Sequence, residues 1–416
     1  MKKTILLILL ASLLVYVTGC GLGNQQGSLQ FSSNIDFGKN DYKKMISSNN
    51  QLGFELLSQV KGNEDGNIFI SPTSLLMALS MVYNGADGVT KEEIAKVLHA
   101  DGMDVLDLNK ANASLLSMLY HDSKQIQLNV ANSIWLNQKF HFQTDFAQNN
   151  KDYFHANIQE IDILDSQSPQ LINDWVKKST NHKIEEIVDA PLDPDLVAIL
   201  INAIYFKGSW QDEFKKKETE KRTFYLGNGA TKETPLMRLH KKMSHMENES
   251  FQAVSLPYGD GEMSMKVFLP KENASVETFK NKLTNDNWKE WSSQFQQKEG
   301  TLLLPKFQME YEVLLNDALK KLGMTTAFDK GANFAKMIEE NDPIWINIVK
   351  QKTFIDVNEE GTEAAAATSV EMKTESAPLD QPFHMEVNRP FFLMISDDTT
   401  GAILFIGEIA NPEAGE

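Results

Sequence analysis

A single cysteine, Cys20, is the entire thiol inventory of this 416-residue chain, which excludes an internal disulfide framework and a multi-cysteine zinc site. Positive charge is scarce too, with 40 Lys and Arg against 57 Asp and Glu and a net charge of -17, so the basic footprint of a nucleic-acid binder is missing. The acidity serves solubility and names no partner. Beyond the first twenty residues no apolar run is long enough to span a bilayer. There is no G-x-S-x-G nucleophile elbow, no H-E-x-x-H and no G-x-x-x-x-G-K-S/T phosphate loop, and the 8 histidines are scattered. What remains is 42% hydrophobic and 23% charged, enough for a large core.

The N-terminus has its own logic. Lys2 and Lys3 precede the apolar run Ile5 to Val17, and Thr18, Gly19 and Cys20 follow, which is the layout of a secretory signal cut after residue 19. The ending VTGC resembles a bacterial lipoprotein signal, in which the cysteine is acylated and becomes the new N-terminus. That resemblance implies an extracytoplasmic protein anchored to the cell membrane through lipid on Cys20; the alternative is an ordinary signal with a chance cysteine. Two or three acyl chains hold firmly where one holds marginally. Gly21 to Asn40 is rich in Gly, Ser, Asn and Gln and reads, with residues up to 43, as a flexible tether.

From residue 44 the pattern is that of one α+β domain. Leu52, Leu56, Leu57 and Val60 fall on one face of a first helix. A short strand then runs into Ser71 and Pro72, a good N-cap and first-position pair, and the helix that follows is apolar nearly all round to Gly85, so it must be buried. QIQLNVANSIWLN alternates with period two through Ile126, Leu128, Val130, Ile134 and Leu136. Leu196 to Phe206 is almost continuously apolar, as in a strand covered on both faces. Further strands are expected at MSMKVFLP, TLLLPKF and IWINIVKQKTFIDV, a helix at LLNDALKKLG and a closing hairpin at FFLMISDDTTGAILFIGEI.

Between a strand ending near Val357 and one beginning near Arg389, roughly thirty residues carry no evident packed element, which is long for a compact domain. Within them EEGTEAAAATSVEM combines four alanines of high helix propensity with a period-two face of Thr362, Ala364, Ala366, Thr368, Val370 and Met372. Pattern alone leaves two readings, an exposed helical linker and a strand in waiting. EEGTEAAAAT resembles the hinge of the serpin family, and NIFISPTSLLMAL, ILINAIYFKGSW, LPKFQMEYEVLLNDALKKLGM, NRPFFLMI and ILFIGEIANP resemble its other blocks, in order, over most of the chain from about residue 44.

The resemblance implies a fold of three β-sheets with surrounding helices, trapped in a metastable state, with a reactive-centre loop at about 359–382 displayed as protease bait. It implies no catalytic residue, metal or cofactor of the protein's own, a monomer, and a covalent acyl complex with a target serine or cysteine protease. Glu359, Gly361, Thr362, Glu363, Ala364, Ala365, Ala366, Ala367 and Thr368 match the inhibitory form of the hinge, with Thr362 exposed until cleavage and then drawn into the central sheet. Small side chains suit that passage, since a large or charged one would be left buried without a partner. Family members without inhibitory activity are the other reading of the same fold, a surface binding protein. Ser71, Ser74 and Asn202 match the polar cluster beneath the opening of the sheet, and Trp210 the tryptophan at its top; Ser71 is equally a helix cap, and Asn202 a satisfied buried amide. The histidine usual in that cluster is replaced by Gln351, which can donate and accept but not titrate.

Family spacing places the scissile bond between Glu375 and Ser376, fourteen residues after Gly361, which points to a glutamyl-specific protease. Thr374, Lys373 and Met372 are the alternatives, suiting small-pocket, trypsin-like and subtilisin- or elastase-like enzymes. Pro378 and Pro382 keep the far side extended. At the other end of the chain, labelled fatty acid should enter the wild-type protein and not a Cys20→Ser variant; incorporation into neither removes the anchor.

Overall fold

Apolar patterning places most elements, and side-chain caps from Ser71, Asp104 and Thr284 start three of the helices. The computed structural model describes residues 29, 31–120, 125–272, 274, 276–362 and 381–415. Its helices are α1 (Ile46–Gln59), α2 (Pro72–Tyr83), α3 (Gly88–Val97), α4 (Val105–Leu119), α5 (Thr144–Phe154), α6 (Ser168–Ser179), α7 (Val276–Lys280), α8 (Asn285–Gln294) and α9 (Asn316–Leu322). The strands are β1 (Ile68–Ile70), β2 (Ile126–Asn137), β3 (Asn157–Ile161), β4 (Ala198–Ser209), β5 (Glu220–Tyr225), β6 (Thr231–Glu247), β7 (Phe251–Tyr258) and β8 (Met263–Pro270). They continue with β9 (Gln296–Pro305), β10 (Phe307–Leu314), β11 (Ile348–Asn358), β12 (Gly361–Thr362), β13 (Phe383–Glu386), β14 (Phe391–Asp397) and β15 (Ile403–Ile409).

The Ser71 side chain accepts from the Ser74 amide to cap α2, Pro72 occupies its first turn, and every residue of α2 is buried, as its all-round apolar sequence requires. Strand β4 is central in a sheet ordered β10-β11-β12-β4-β2-β3, in which β11 also pairs directly with β4. Ala198, Leu200, Ile204 and Phe206 face the main core, while Ile199, Ile201 and Ala203 face a second core with Trp135, Ile172, Val176 and Phe354. Both faces are dry, which is why the run carries no alternation.

The remaining strands form the order β1-β15-β14-β8-β7-β6-β9-β13, with β5 added to β6. The α+β class is as expected, but the strands expected in three sheets are joined in two ladders among the described residues. The cause is β6, 17 residues long, which pairs with β5 and β9 along its length and with β7 at its end. Charged residues along its exposed face and Pro235 within it hide β6 from a pattern reading.

Three further expectations are corrected. Residues 31–40 are not a free tether: Leu29, Phe31, Ile35 and Phe37 pack on the main core, and the Phe31 ring meets Phe37 at 4.9 Å and His155 at 4.6 Å. A polar average concealed four well-spaced apolar anchors. The strand expected from Ile344 starts at Ile348, and the stretch read as empty between Val357 and Arg389 contains β12 and β13. Cys20, Glu363 to Thr368 and the bonds from Met372 to Ser376 lie outside the described residues.

Strand β13 receives the chain after the loop and is only four residues long, parallel to β9. Its hold depends on Phe383, whose ring occupies the space a side chain on Gly300 would need; a Cβ there would lie 2.1 Å from the ring. The same ring stacks on His245 at 4.1 Å. Burial, with help from Lys298 and Lys271 and against Glu247, holds the His245 pKa below its ordinary value. An unfolded histidine titrates near ~6.5, so the stability contributed by neutral His245 is present above that pH and is lost as pH falls toward the lower folded value. Between about pH 7.5 and about pH 5 the wild type should therefore lose more melting temperature than a His245→Phe variant, and equal losses would refute the assignment.

Candidate functional site

The chain leaves the six-stranded sheet for the loop through a wedge. Ile348 to Thr353 of β11 pair in parallel with Ile199 to Ile204 of β4. Above those six pairs the two strands part, and β12 fills the gap: Thr362 lies opposite Val357 and Gly208, and Gly361 opposite Asn358 and Ser209. Gly361 is required by close approach, since a Cβ would meet the Gly208 carbonyl oxygen at 2.1 Å. Thr362 is 1% exposed, and its hydroxyl lies 2.7 Å from that of Tyr258. The expectation that Thr362 is exposed is thus overturned; the first two hinge residues already belong to the sheet, because β11 and β4 leave backbone groups that need partners.

Aromatic rings and backbone bonds hold this wedge from above. Trp210 stacks on Tyr258 at 4.5 Å and 10°, and its indole N–H donates to the Asn358 carbonyl at 2.9 Å. The Trp210 amide donates to Glu360 O, and the Phe214 amide to Glu359 O, both at 2.9 Å. Tyr258 is fully buried, which drives its phenol well above the usual tyrosine range and keeps it neutral. Glu359, 4% exposed, accepts from the Thr219 hydroxyl at 2.9 Å and pairs with Lys306 at 3.2 Å. Burial alone would raise its pKa, but the bonds from its own amide, Thr219 and Lys306 outweigh burial and lower it. Beside it Glu360 pairs with Lys216 at 2.6 Å.

Lower in the same seam a row of neutral polar side chains crosses three strands. Asn132 of β2 lies opposite Asn202 of β4, and Asn202 opposite Gln351 of β11. Asn202 donates to Asn132 Oδ1 and to Ser74 Oγ, and Gln351 donates to Asn202 Oδ1. Gln351 also accepts from the Ser71 amide at 2.9 Å and donates to the Ser71 carbonyl at 3.1 Å. Ser71, Ser74, Asn202 and Gln351 are 0% exposed. The structure therefore joins four of the five predicted sheet-opening residues in one network, pinning the head of α2 to β11 and β4. Trp210 stands apart from them, at the wedge. Ser71 is both helix cap and network member, so its two readings coexist.

Asn132 and Tyr258 were missed. Asn132 had a signal, because it shares the parity of Ile126, Leu128, Val130, Ile134 and Leu136 and is the polar member of that apolar face. Tyr258 had none, since its partner Thr362 is 104 residues away.

Comparison with known proteins agrees with this architecture. The family model described as Serpin (serine protease inhibitor) matches residues 47–412. Iripin-2 of Ixodes ricinus is 32% identical over 377 residues, covering 88% of this chain and 93% of its own, and human Serpin B4 is 31% identical over 386 residues, covering 88% and 98%. The native state of Tengpin, a thermophilic serpin, superposes with a TM-score of 0.82 at 32% identity over 92% of this chain and 96% of its own. Human thyroxine-binding globulin, solved with thyroxine, also gives 0.82, at 25% identity over 89% and 99%. With the wedge, the polar row and the family match in the same 366-residue body, this chain belongs to the serpin family.

Proposed function

We propose that this serpin is an irreversible suicide-substrate inhibitor of a serine or cysteine protease, anchored outside the cytoplasm by lipid on Cys20 and acting as a monomer. The observation that carries this reading is the wedge: Gly361 and Thr362 already occupy the position of an added strand, and the next residues are Glu363, four alanines and Thr368, with the small Ala364, Ala366 and Thr368 on the parity of Thr362. The protease nucleophile attacks the Glu375 carbonyl, the bond to Ser376 breaks, and the leaving amine takes the proton. The acyl group on Glu375, an ester to serine or a thioester to cysteine, then travels with the hinge as it enters between β11 and β4.

Each residue entering replaces direct β11–β4 pairing by pairing on both sides. A full insertion adds on the order of ten main-chain hydrogen bonds, each worth about 0.5 to 1.5 kcal/mol net. The uncut molecule is then held by a kinetic barrier and not by its lowest free energy. Thyroxine-binding globulin, whose structure contains thyroxine, has the same fold, so the fold alone does not select inhibition; the alanine-rich hinge favours it. The protein itself contributes no catalytic step in this scheme.

Incubation with a protease panel should give a covalent complex that survives boiling in detergent, and cut protein should melt well above uncut protein. No complex with any protease and no gain in melting temperature would leave the non-inhibitory binding protein as the reading. Thr362→Arg should convert the inhibitor to a substrate, raising the number of inhibitor molecules consumed per protease, because an unpaired guanidinium at this buried position costs several kcal/mol (roughly 3 to 5) and displaces the two-residue strand from which insertion proceeds. Because Thr362 is already buried, the uncut variant should also melt lower than wild type.

The peptide released by the target protease should begin at Ser376 by mass. A start at Glu375, Thr374 or Lys373 would move the bait to Thr374, Lys373 or Met372.

A further inference from the structure

The seam that must open between β11 and β4 is crossed, on the face away from α2, by residues 181–192. This strap is fastened firmly on the β4 side. Ile184, Ile187, Val188 and Leu192 pack in the second core with Ile199 and Ile201 of β4 and with Ile172 and Val176 of α6. Asn173 of α6 accepts from the Ile187 and Val188 amides at 2.9 and 3.1 Å and donates to the Val188 carbonyl at 2.9 Å. Strap and helix therefore ride together on β4 and β2.

On the β11 side Phe354 and Ile348 reach the same core, with the Lys183 ammonium 5.4 Å from the Phe354 ring centroid, and the polar ties of the strap are two lysines. Lys350 donates to the Ile187 carbonyl at 2.8 Å and Lys352 to the Glu186 carbonyl at 3.0 Å. Both ammonium groups are braced from β10, Lys350 by Glu312 and Lys352 by Glu310 at 3.1 Å. Their side chains are only 17% and 13% exposed. Lys350 and Lys352 share the face of β11 that carries Ile348 and Phe354, opposite the face of Gln351.

A strand entering the seam must push β11 and β4 apart by one strand spacing, about 4.8 Å. Hydrogen bonds of 2.8 and 3.0 Å do not survive such a displacement without rearrangement. Either the strap leaves β4, which would expose its isoleucines, or the two lysines let go. The second is the smaller change, because each lysine keeps its carboxylate partner on β10, which moves with β11.

We infer that Lys350 and Lys352 are positioning residues that latch the strap across the seam and so set how fast the hinge inserts after cleavage. They act opposite to the neutral row of Asn132, Asn202 and Gln351, which joins the strands from the α2 side. The inference rests on the insertion reading above, and the two can fail separately.

The test uses the full-length protein and its Lys350→Met/Lys352→Met variant, which keeps chain length and removes the donors. The loop is cut with a broad-specificity protease, and the time course of acquired heat resistance is followed. Release of two charged hydrogen bonds should make insertion roughly tenfold faster in the variant. It should also bring the inhibitor consumed per protease closer to one and shorten the half-life of uncut protein at raised temperature. Lys350→Arg/Lys352→Arg, which keeps charge and donors, should restore wild-type rates, whereas Glu310→Gln/Glu312→Gln, which removes the charge pairing but leaves the bonds to the strap, should not accelerate insertion as the methionines do; acceleration by the glutamine variant would overturn the latch. If the double methionine variant fails to fold, single Lys350→Met, retaining the Lys352 tie, should show a smaller acceleration in the same direction. Wild type that gains heat resistance beside methionine variants that insert no faster overturns the latch alone. Wild type that gains none overturns the inhibitory reading and the latch together.

Discussion

The direct pairing of β11 with β4 over Ile348 to Thr353 is the constraint on which the rest of the molecule depends. A sheet with a potential extra strand position is stable only while its neighbours satisfy one another's backbone groups. Here they do so over part of their length and diverge above it, where two hinge residues complete the ladder. Every other device of the site bears on that boundary. The neutral row below resists parting of the strands, the aromatic stack above seats Thr362, and the Glu359–Lys306 pair fixes the turn from which the hinge departs.

The chemistry of these devices is consistent. Near the seam on the α2 side, the sheet uses amides and hydroxyls in place of ionisable groups, so the network can be exchanged hydrogen bond for hydrogen bond without uncovering a charge. Unpaired charge in a dry seam would cost several kcal/mol, about 3 to 5. Ionic ties are confined to the opposite, partly wet face and to the turn. That division lets the seam open without an electrostatic penalty on the side where α2 must stay in place.

Much of this was legible in the sequence because apolar periodicity and capping report directly on burial. The all-round apolar α2 and the unbroken run of β4 are read correctly, since nothing but a two-sided core tolerates such composition. What escaped is informative. Strand β6 carries charges on its exposed face and a half-buried proline within it, so neither period nor composition marks it. Phe31 and Phe37 sit among glycine, serine and asparagine, and only their packing on the main core and the Phe31–His155 contact distinguish anchors from a tether. Asn132 announced itself by parity, whereas the Tyr258–Thr362 bond joins residues whose local sequences share nothing. Burial of Thr362 is a property of where two strands diverge, and divergence is not written in either strand alone.

For the insertion proposed above, the short β12 has a kinetic consequence. Zipping a new strand into a closed sheet would need a nucleus, several residues ordered before the first bonds form, and such nuclei are rare events even for helices. With Gly361 and Thr362 already paired on both sides, the nucleus exists in the uncut molecule. Under the proposed mechanism, cleavage would release a propagation front, advancing one residue at a time from an end already in register. The order of entry in that mechanism would be Glu363 first, then the alanines, with no opportunity for the strand to start out of phase.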